Sequence, residues 1–151
     1  REYEEGLERL AAAYPGAMGV RIGYDEPLSH RMYAGGDLVL VPSRFEPCGL
    51  TQLYGLRYGA VPLVSSTGGL RDTVVDADPQ HLADGTATGF MFGDIDPGGL
   101  GFALGRAIDL YADRAAWRKL RDQAMRAQVG WGASAERYAE LFGRLVGAAT
   151  R

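Results

Sequence analysis

The sequence predicts an α/β fold in which a Rossmann-like parallel sheet carries helices on both faces. Short apolar, β-branched runs alternate along the chain with segments whose apolar residues recur at helical spacing. The connections between these segments are short, which favours right-handed crossovers between parallel strands. The length of 151 residues suits a single domain with a core of ordinary size.

Each element is predicted from its periodicity and its turn residues. Strands are expected at residues 20–24, 38–41, 61–64 and 89–92, and helices at 2–14, 27–34, 51–58 and in several segments from about 97 onward. The run at 38–41 is continuously apolar, as is typical of a strand buried on both faces. Asp96 is expected to cap the helix that Pro97 begins. The inner face of that helix is expected to comprise Leu100, Leu104, Ala107, Ile108 and Tyr111.

Composition excludes several classes of partner. The net charge is −3, so the chain has no overall basic field for nucleic acid. No run of 18 apolar residues occurs, which argues against a membrane span. The single cysteine, Cys48, cannot form an internal disulfide, so a reducing compartment such as the cytoplasm is expected.

The acidic residues do not predict a metal site. Asp94-Ile95-Asp96 is better explained by helix capping, and Asp76-Ala77-Asp78 lies in an acidic stretch, residues 72–84, that is interpreted as a solvated loop. His30 and His81 lack the spacing of metal ligands or of a catalytic triad, so both are interpreted as structural. No metal and no cofactor is therefore expected.

The stretch VPSRFEPCGL, residues 41–50, points to a ligand site. It joins a strand to a helix, and the N–H groups of Gly49, Leu50 and Thr51 would form an anion site at the helix start. Glu46 could simply satisfy that helix terminus. The prolines at 42 and 47, however, stiffen the loop more than a surface cap requires. A rigid carboxylate beside an anion site suits a sugar nucleotide.

Two further junctions support this hypothesis. Tyr24 ends the preceding predicted strand and could either stack on a base or belong to the core. Thr67, Gly68 and Gly69 follow the next strand and form either a site loop or an ordinary turn. The carboxyl ends of parallel strands share one edge of a sheet, where ligands of α/β proteins bind. Three consecutive junctions are more persuasive than one.

The stretch from Val41 to Asp76, VPSRFEPCGLTQLYGLRYGAVPLVSSTGGLRDTVVD, resembles the C-terminal, donor-binding domain of bacterial glycogen synthase and plant starch synthase. GVRIGYDEPLSHRMYAGGD before it and GWGASAERYAELF near the end extend the resemblance to nearly the whole chain. It implies the two-domain GT-B fold and retaining transfer of glucose from ADP-glucose to the non-reducing end of an α-1,4-glucan. The chain is then expected to be a single-domain fragment, truncated at its N-terminus and lacking the first strands of its sheet.

The resemblance also implies roles for individual residues. Glu46 would be the catalytic glutamate at the donor glucose, against which Cys48 and Gly49 would lie. The amides of Leu50 and Thr51 would meet the diphosphate, and Tyr24 would stack on adenine. Tyr54 stands where many related transferases carry a ribose-binding glutamate, which narrows the assignment toward glycogen synthases.

Two alternatives remain open at this stage. One is another retaining GT-B transferase that uses UDP-glucose, and the other is a non-catalytic module that binds a nucleotide or a glucan. The resemblance places the glucan acceptor mainly on a separate N-terminal domain. The chain alone is therefore expected to be inactive as a transferase.

Overall fold

A computed structural model describes residues 2–149 of the chain. It divides the chain into two compact units, residues 1–31 and residues 32–151. Each unit is described by itself below, and the single-domain organisation stays a prediction. Among the described residues, no helix is both long enough and apolar enough to cross a membrane.

The first unit contains α1 (Glu2–Ala13) and the beginning of α2 (Glu26–Gly35), both close to their predicted bounds. The strand predicted at residues 20–24 is wrong, because these residues adopt no regular structure. A strand needs a partner for its backbone groups, and none of the described strands pairs with this segment. Gly23, at φ +121°, also departs from extended geometry.

The second unit holds the sheet and the remaining helices. Its elements after α2 are β1 (Leu38–Val41), α3 (Thr51–Tyr58), β2 (Val61–Ser65), α4 (Gly68–Thr73), α5 (Pro79–Asp84), β3 (Phe90–Phe92), α6 (Pro97–Ala112), α7 (Arg114–Arg126) and α8 (Gly132–Ala149). The strands are parallel in the order β1-β2-β3. The predicted α/β class and parallel sheet are confirmed.

Packing on both faces of the sheet agrees with the predicted layers. On one face, Val61, Leu63 and Phe90 pack against α6 and α7, where Trp117 and Leu120 are buried. The other face has a second cluster, formed by Val41, Val64, Leu70 and Val74. These apolar contacts supply the main favourable free energy of folding.

Two burial predictions need correction. β1 is not buried on both faces, since Leu40 is 44% exposed and β1 lies at the edge of the described sheet. On α6, Leu100, Ala107 and Tyr111 pack against the core as predicted and Ala103 is buried beside them. Leu104 and Ile108, which were also predicted to face inward, are exposed. Small residues let α6 approach the sheet closely, so the helix is rotated from the face that the larger side chains suggested. The predicted Asp96 cap is confirmed, with Asp96 accepting from the N–H of Gly99 at 2.8 Å.

The acidic stretch at residues 72–84 is also not the solvated loop that was predicted. It contains the end of α4 and all of α5. Asp78 caps α5 by accepting from the N–H of His81 at 2.9 Å. Asp76 is turned inward and pairs with Arg106 on α6, at 3.0 Å. Charge density alone could not reveal that these carboxylates have internal partners.

Candidate functional site

The site predicted from sequence is centred on the loop between β1 and α3, residues 42–50. Glu46 lies in this loop and is half-buried, so it is not sealed in the interior. Its carboxylate Oε2 accepts a hydrogen bond of 3.4 Å from the hydroxyl of Ser43. That contact is long for an O–H donor. The carboxylate therefore retains capacity to accept further hydrogen bonds.

The start of α3 directly follows this loop and presents the N–H groups of its first turn. Leu50 occupies the N-cap position, and no side chain among residues 2–149 caps the helix. The first N–H groups of an uncapped helix have no intrahelical partner and carry part of the positive end of the helix dipole. Gly49 has φ +71°, which glycine adopts without strain. The terminus can accept an anion.

The loop after β2 lies directly against the β1–α3 loop. The N–H of Gly69 donates to the carbonyls of Glu46, at 3.2 Å, and Pro47, at 3.1 Å. A Cβ on Gly68 would clash with the carbonyl oxygen of Glu46, and one on Gly69 would clash with the backbone of Cys48. These glycines thus begin α4 rather than a tight turn, and they are required for the backbones to touch.

The remaining predicted contact residues occupy the surface of this region. Cys48 is exposed and its thiol is free, so it is accessible to a ligand. Leu50 is 62% exposed, whereas Thr51, at the first position of α3, is half-buried. Exposed positions beside an uncapped helix start are accessible to a ligand.

The two predicted nucleotide contacts differ in their surroundings. Tyr24 lies in the first unit and is 89% exposed, which excludes the alternative that it belongs to the core. Tyr54, in the second unit, lies on the first turn of α3 and packs its ring against Tyr33, with centroids 5.7 Å apart. Their nucleotide-binding roles stay predictions.

Sequence reasoning missed a buried amide in the same region. Gln52 is 0% exposed, and its Nε2 lies within hydrogen-bond distance of the carbonyls of Cys48 and Gly49 and of the hydroxyl of Thr73. Glutamine is rarely fully buried. Its position in the first turn of α3, directly after the loop, was the available signal.

The pKa of Asp78, which lies outside the predicted site, is lowered in the folded chain. The N–H of His81 stabilises the Asp78 carboxylate and holds the pKa of Asp78 below its ordinary 3.8, although partial burial opposes the shift. Nδ1 of His81 is 2.7 Å from the same carboxylate. This pair belongs to the cap of α5. Within residues 2–149, no cluster of three or more His, Cys, Asp or Glu side chains forms a metal site.

Comparison with solved structures identifies the class of fold. The catalytic domain of starch synthase IV from Arabidopsis thaliana, bound to ADP and acarbose, matches with a TM-score of 0.81 and 40% identity. The match covers 95% of this chain and 30% of that one. Sucrose-phosphate synthase from Thermosynechococcus elongatus matches with a TM-score of 0.64 at 24% identity and bears on the fold alone. The chain has the fold of part of a GT-B glycosyltransferase.

Sequence relatives narrow that class. The glycogen synthase of Cereibacter sphaeroides strain ATCC 17023 is 57% identical over 143 residues, which cover 95% of this chain and 30% of that protein. The glycogen synthase of Roseobacter denitrificans is 51% identical over 147 residues, with 97% and 31% covered. No protein-family model matches. The chain is thus a homologue of part of the bacterial glycogen synthases, and the resemblance predicted from sequence is confirmed. It spans about 30% of the length of the curated relatives it matches.

Proposed function

We propose that this chain is the donor-binding part of a glycogen synthase that transfers glucose from ADP-glucose to the non-reducing end of an α-1,4-glucan with retention of configuration. The observation that carries the proposal is the half-buried carboxylate of Glu46 on a loop that leads into the uncapped start of α3. Support also comes from the starch synthase neighbour, which binds ADP and acarbose. We propose a cytoplasmic location from the absence of a disulfide partner for Cys48.

In this proposal the loop makes two kinds of contact with the donor, one to its diphosphate and one to its glucose. The amides of Gly49, Leu50 and Thr51 bind the diphosphate, which is the leaving group, through the positive end of the helix dipole. Glu46 lies by the glucose and stabilises the positive charge that develops there as ADP departs. The 4-hydroxyl of the acceptor attacks carbon 1 of the glucose from the face that ADP leaves, and its proton passes to the phosphate oxygen of the departing ADP. The contribution of the chain is electrostatic and positional.

The base of the donor is tested by comparing two sugar nucleotides in a full-length protein that contains this chain. Initial rates of glucan extension with ADP-glucose and with UDP-glucose give the ratio of kcat/KM for the two donors. We expect ADP-glucose to be preferred. Equal or greater kcat/KM with UDP-glucose would replace the proposed donor, and no glucan extension with either would contradict the proposed reaction.

The 151-residue chain has its own test, because it spans only about 30% of its relatives. We expect it to bind ADP, detected by NMR titration of the Gly49, Leu50 and Thr51 amides, and to extend no glucan. Maltose added instead of ADP serves as the control for a glucan-binding module. Shifts with maltose but not with ADP would favour that module, and glucan extension by the chain itself would contradict the expectation that it is inactive alone.

A further inference from the structure

We propose that Gln52 is the positioning residue of the diphosphate site, because its buried amide turns the N–H groups of Gly49 and Leu50 outward. This inference rests on the proposed function and assigns a role to a side chain that does not itself reach solvent. Gln52 is the second residue of α3 and is 0% exposed.

The nitrogen of the Gln52 amide faces the loop. Nε2 is 2.9 Å from the carbonyl oxygen of Cys48 and 3.1 Å from that of Gly49. Because carbonyl oxygens only accept hydrogen bonds, the nitrogen and not Oε1 must point toward them. Oε1 is buried and has no hydrogen-bond partner within residues 2–149. The fixed orientation of this amide thus follows from the two backbone carbonyls.

The planar geometry of the peptide bond then determines where the N–H groups of Gly49 and Leu50 point. In a planar trans peptide the C=O of one residue and the N–H of the next point in opposite directions, and no cis peptide occurs in the described part of the chain. With the carbonyls of Cys48 and Gly49 held toward Gln52, the N–H groups of Gly49 and Leu50 point away from it. Since Gln52 is in the interior, those N–H groups face the exterior, as anion binding requires.

A second contact anchors Gln52 from the other side. The hydroxyl of Thr73 lies 3.1 Å from Nε2 and donates to the carbonyl of Gly69 at 2.5 Å. The single hydroxyl hydrogen is therefore directed to Gly69, and an oxygen lone pair remains to accept one of the two Nε2 hydrogens, while the carbonyls of Cys48 and Gly49 share the other. Both ends of α4 are tied into this arrangement. The loop after β1 is held against α4 by one continuous set of hydrogen bonds.

Glycine at position 49 is required for the same set of contacts. A Cβ there would fall on the amide group of Gln52, and φ at this position is +71°. Only a residue without a side chain lets the loop carbonyls reach the buried amide in this conformation. The glycine that exposes the backbone to a ligand on one side also admits Gln52 on the other.

The test compares ADP and adenosine binding to the 151-residue chain and to Gln52→Met, which keeps the shape but has no N–H donor. We expect the dissociation constant for ADP to rise about tenfold, as loss of aligned donors to a charged group implies, while that for adenosine changes by less than about twofold. The dissociation constant for inorganic pyrophosphate should rise with that for ADP. NMR spectra recorded below the melting temperature of each variant confirm that it is folded.

Thr73 provides a matched pair in case Gln52→Met does not fold. Thr73→Val removes the hydroxyl and should lower the affinity for ADP. Thr73→Ser keeps the hydroxyl and should bind ADP as the unsubstituted chain does. Unchanged ADP affinity in folded Gln52→Met or Thr73→Val would overturn the inference, as would equal losses for ADP and adenosine. If the unsubstituted chain binds pyrophosphate at Gly49 and Leu50 but the full-length protein transfers no glucose, the proposed function fails, and pyrophosphate binding to the Gln52 and Thr73 variants still decides the positioning role. If it binds neither ADP nor pyrophosphate at those amides, both fail.

Discussion

Two carboxylates of the second unit show how differently this fold uses an acidic side chain. Asp76 accepts from both terminal nitrogens of Arg106, at 3.2 and 3.0 Å, and from the N–H of Met91, at 2.7 Å. Glu46 accepts one long hydrogen bond from Ser43 within the described residues. A carboxylate accepts up to about four hydrogen bonds. Asp76 is satisfied by the protein itself, and Glu46 has capacity left for a ligand.

The surroundings of the two groups explain the contrast. Asp76 connects the segment before α5 with α6 and is only 26% exposed, so its charge must be paired. Glu46 instead lies on a loop whose backbone, and not its side chains, is held by Gly69 and Ser65. The loop can therefore keep its shape when the Glu46 carboxylate changes. The backbone of this segment maintains its structure, and the carboxylate of Glu46 keeps capacity to accept hydrogen bonds from a ligand.

The largest expected effect comes from Glu46→Gln in a full-length protein that contains the chain. We expect kcat to fall about 10²- to 10³-fold, the range found when one preorganised electrostatic contact is removed. The dissociation constant for ADP and the melting temperature should stay close to those of the unsubstituted protein. Steady-state kinetics and ADP titration measure the two effects, and equal losses in both would assign Glu46 to donor binding instead.

Substitution of Asp76 is expected to lower the stability of the fold, whereas substitution of Glu46 is expected to lower kcat. Asp76→Ala leaves Arg106 and the N–H of Met91 without their partner, which should lower the free energy of unfolding by about 2 kcal/mol. Urea unfolding measures this value. Asp109→Ala, an exposed acid on α6, is the matched control and should change it by less than about 0.5 kcal/mol. A loss at Asp76 no larger than the loss at Asp109 would remove the contrast between the two carboxylates.

The contact between the β1–α3 loop and the start of α4 can be broken without changing any charge. Gly69→Ala places a methyl group on the backbone of Cys48, which should cost about 1 to 3 kcal/mol of stability as overpacking and weaken ADP binding. Gly101→Ala is the control, since within residues 2–149 no atom lies within 4 Å of its Cβ position on α6, apart from its chain neighbours and the backbone of its own helix. It should be neutral or slightly stabilising. Undiminished ADP affinity in a folded Gly69→Ala variant would show that the loops act independently.

The elements with local signals were predictable. β1 and α3 have their predicted bounds, because an apolar run and a helical period flanked by glycine identify them without tertiary information. The strand expected at residues 20–24 failed since a strand depends on a neighbour that the local sequence does not specify. Gln52 and Asp76 were missed for the same reason. Their partners, Thr73 and Arg106, are 21 and 30 residues away in sequence.

A smaller effect is expected at Tyr24, the predicted adenine contact. Tyr24→Ala should weaken the binding of ADP by about 1 to 2 kcal/mol, the scale of base stacking on an aromatic side chain. Tyr24→Phe retains the ring and should bind as the unsubstituted chain does. Calorimetric titration of ADP distinguishes these outcomes. Tyr3→Ala, another exposed tyrosine of the first unit, controls for non-specific effects, and an unchanged dissociation constant in Tyr24→Ala would exclude stacking.

The smallest effect is expected from Asp78, which resembles Asp76 in having internal partners but lies nearer the surface. Its pKa is held below 3.8 in the folded chain, chiefly by the N–H of His81. As pH falls from above 3.8 toward the lowered pKa, the unfolded chain takes up a proton that the folded chain does not, so this contribution to stability is lost.

Asp78→Asn keeps an oxygen to cap α5 but cannot titrate. Urea unfolding between pH 6 and pH 3 should therefore show a shallower loss of stability in Asp78→Asn than in the unsubstituted chain or in Asp109→Asn. Parallel curves for all three would mean that the cap does not depend on the charge of Asp78.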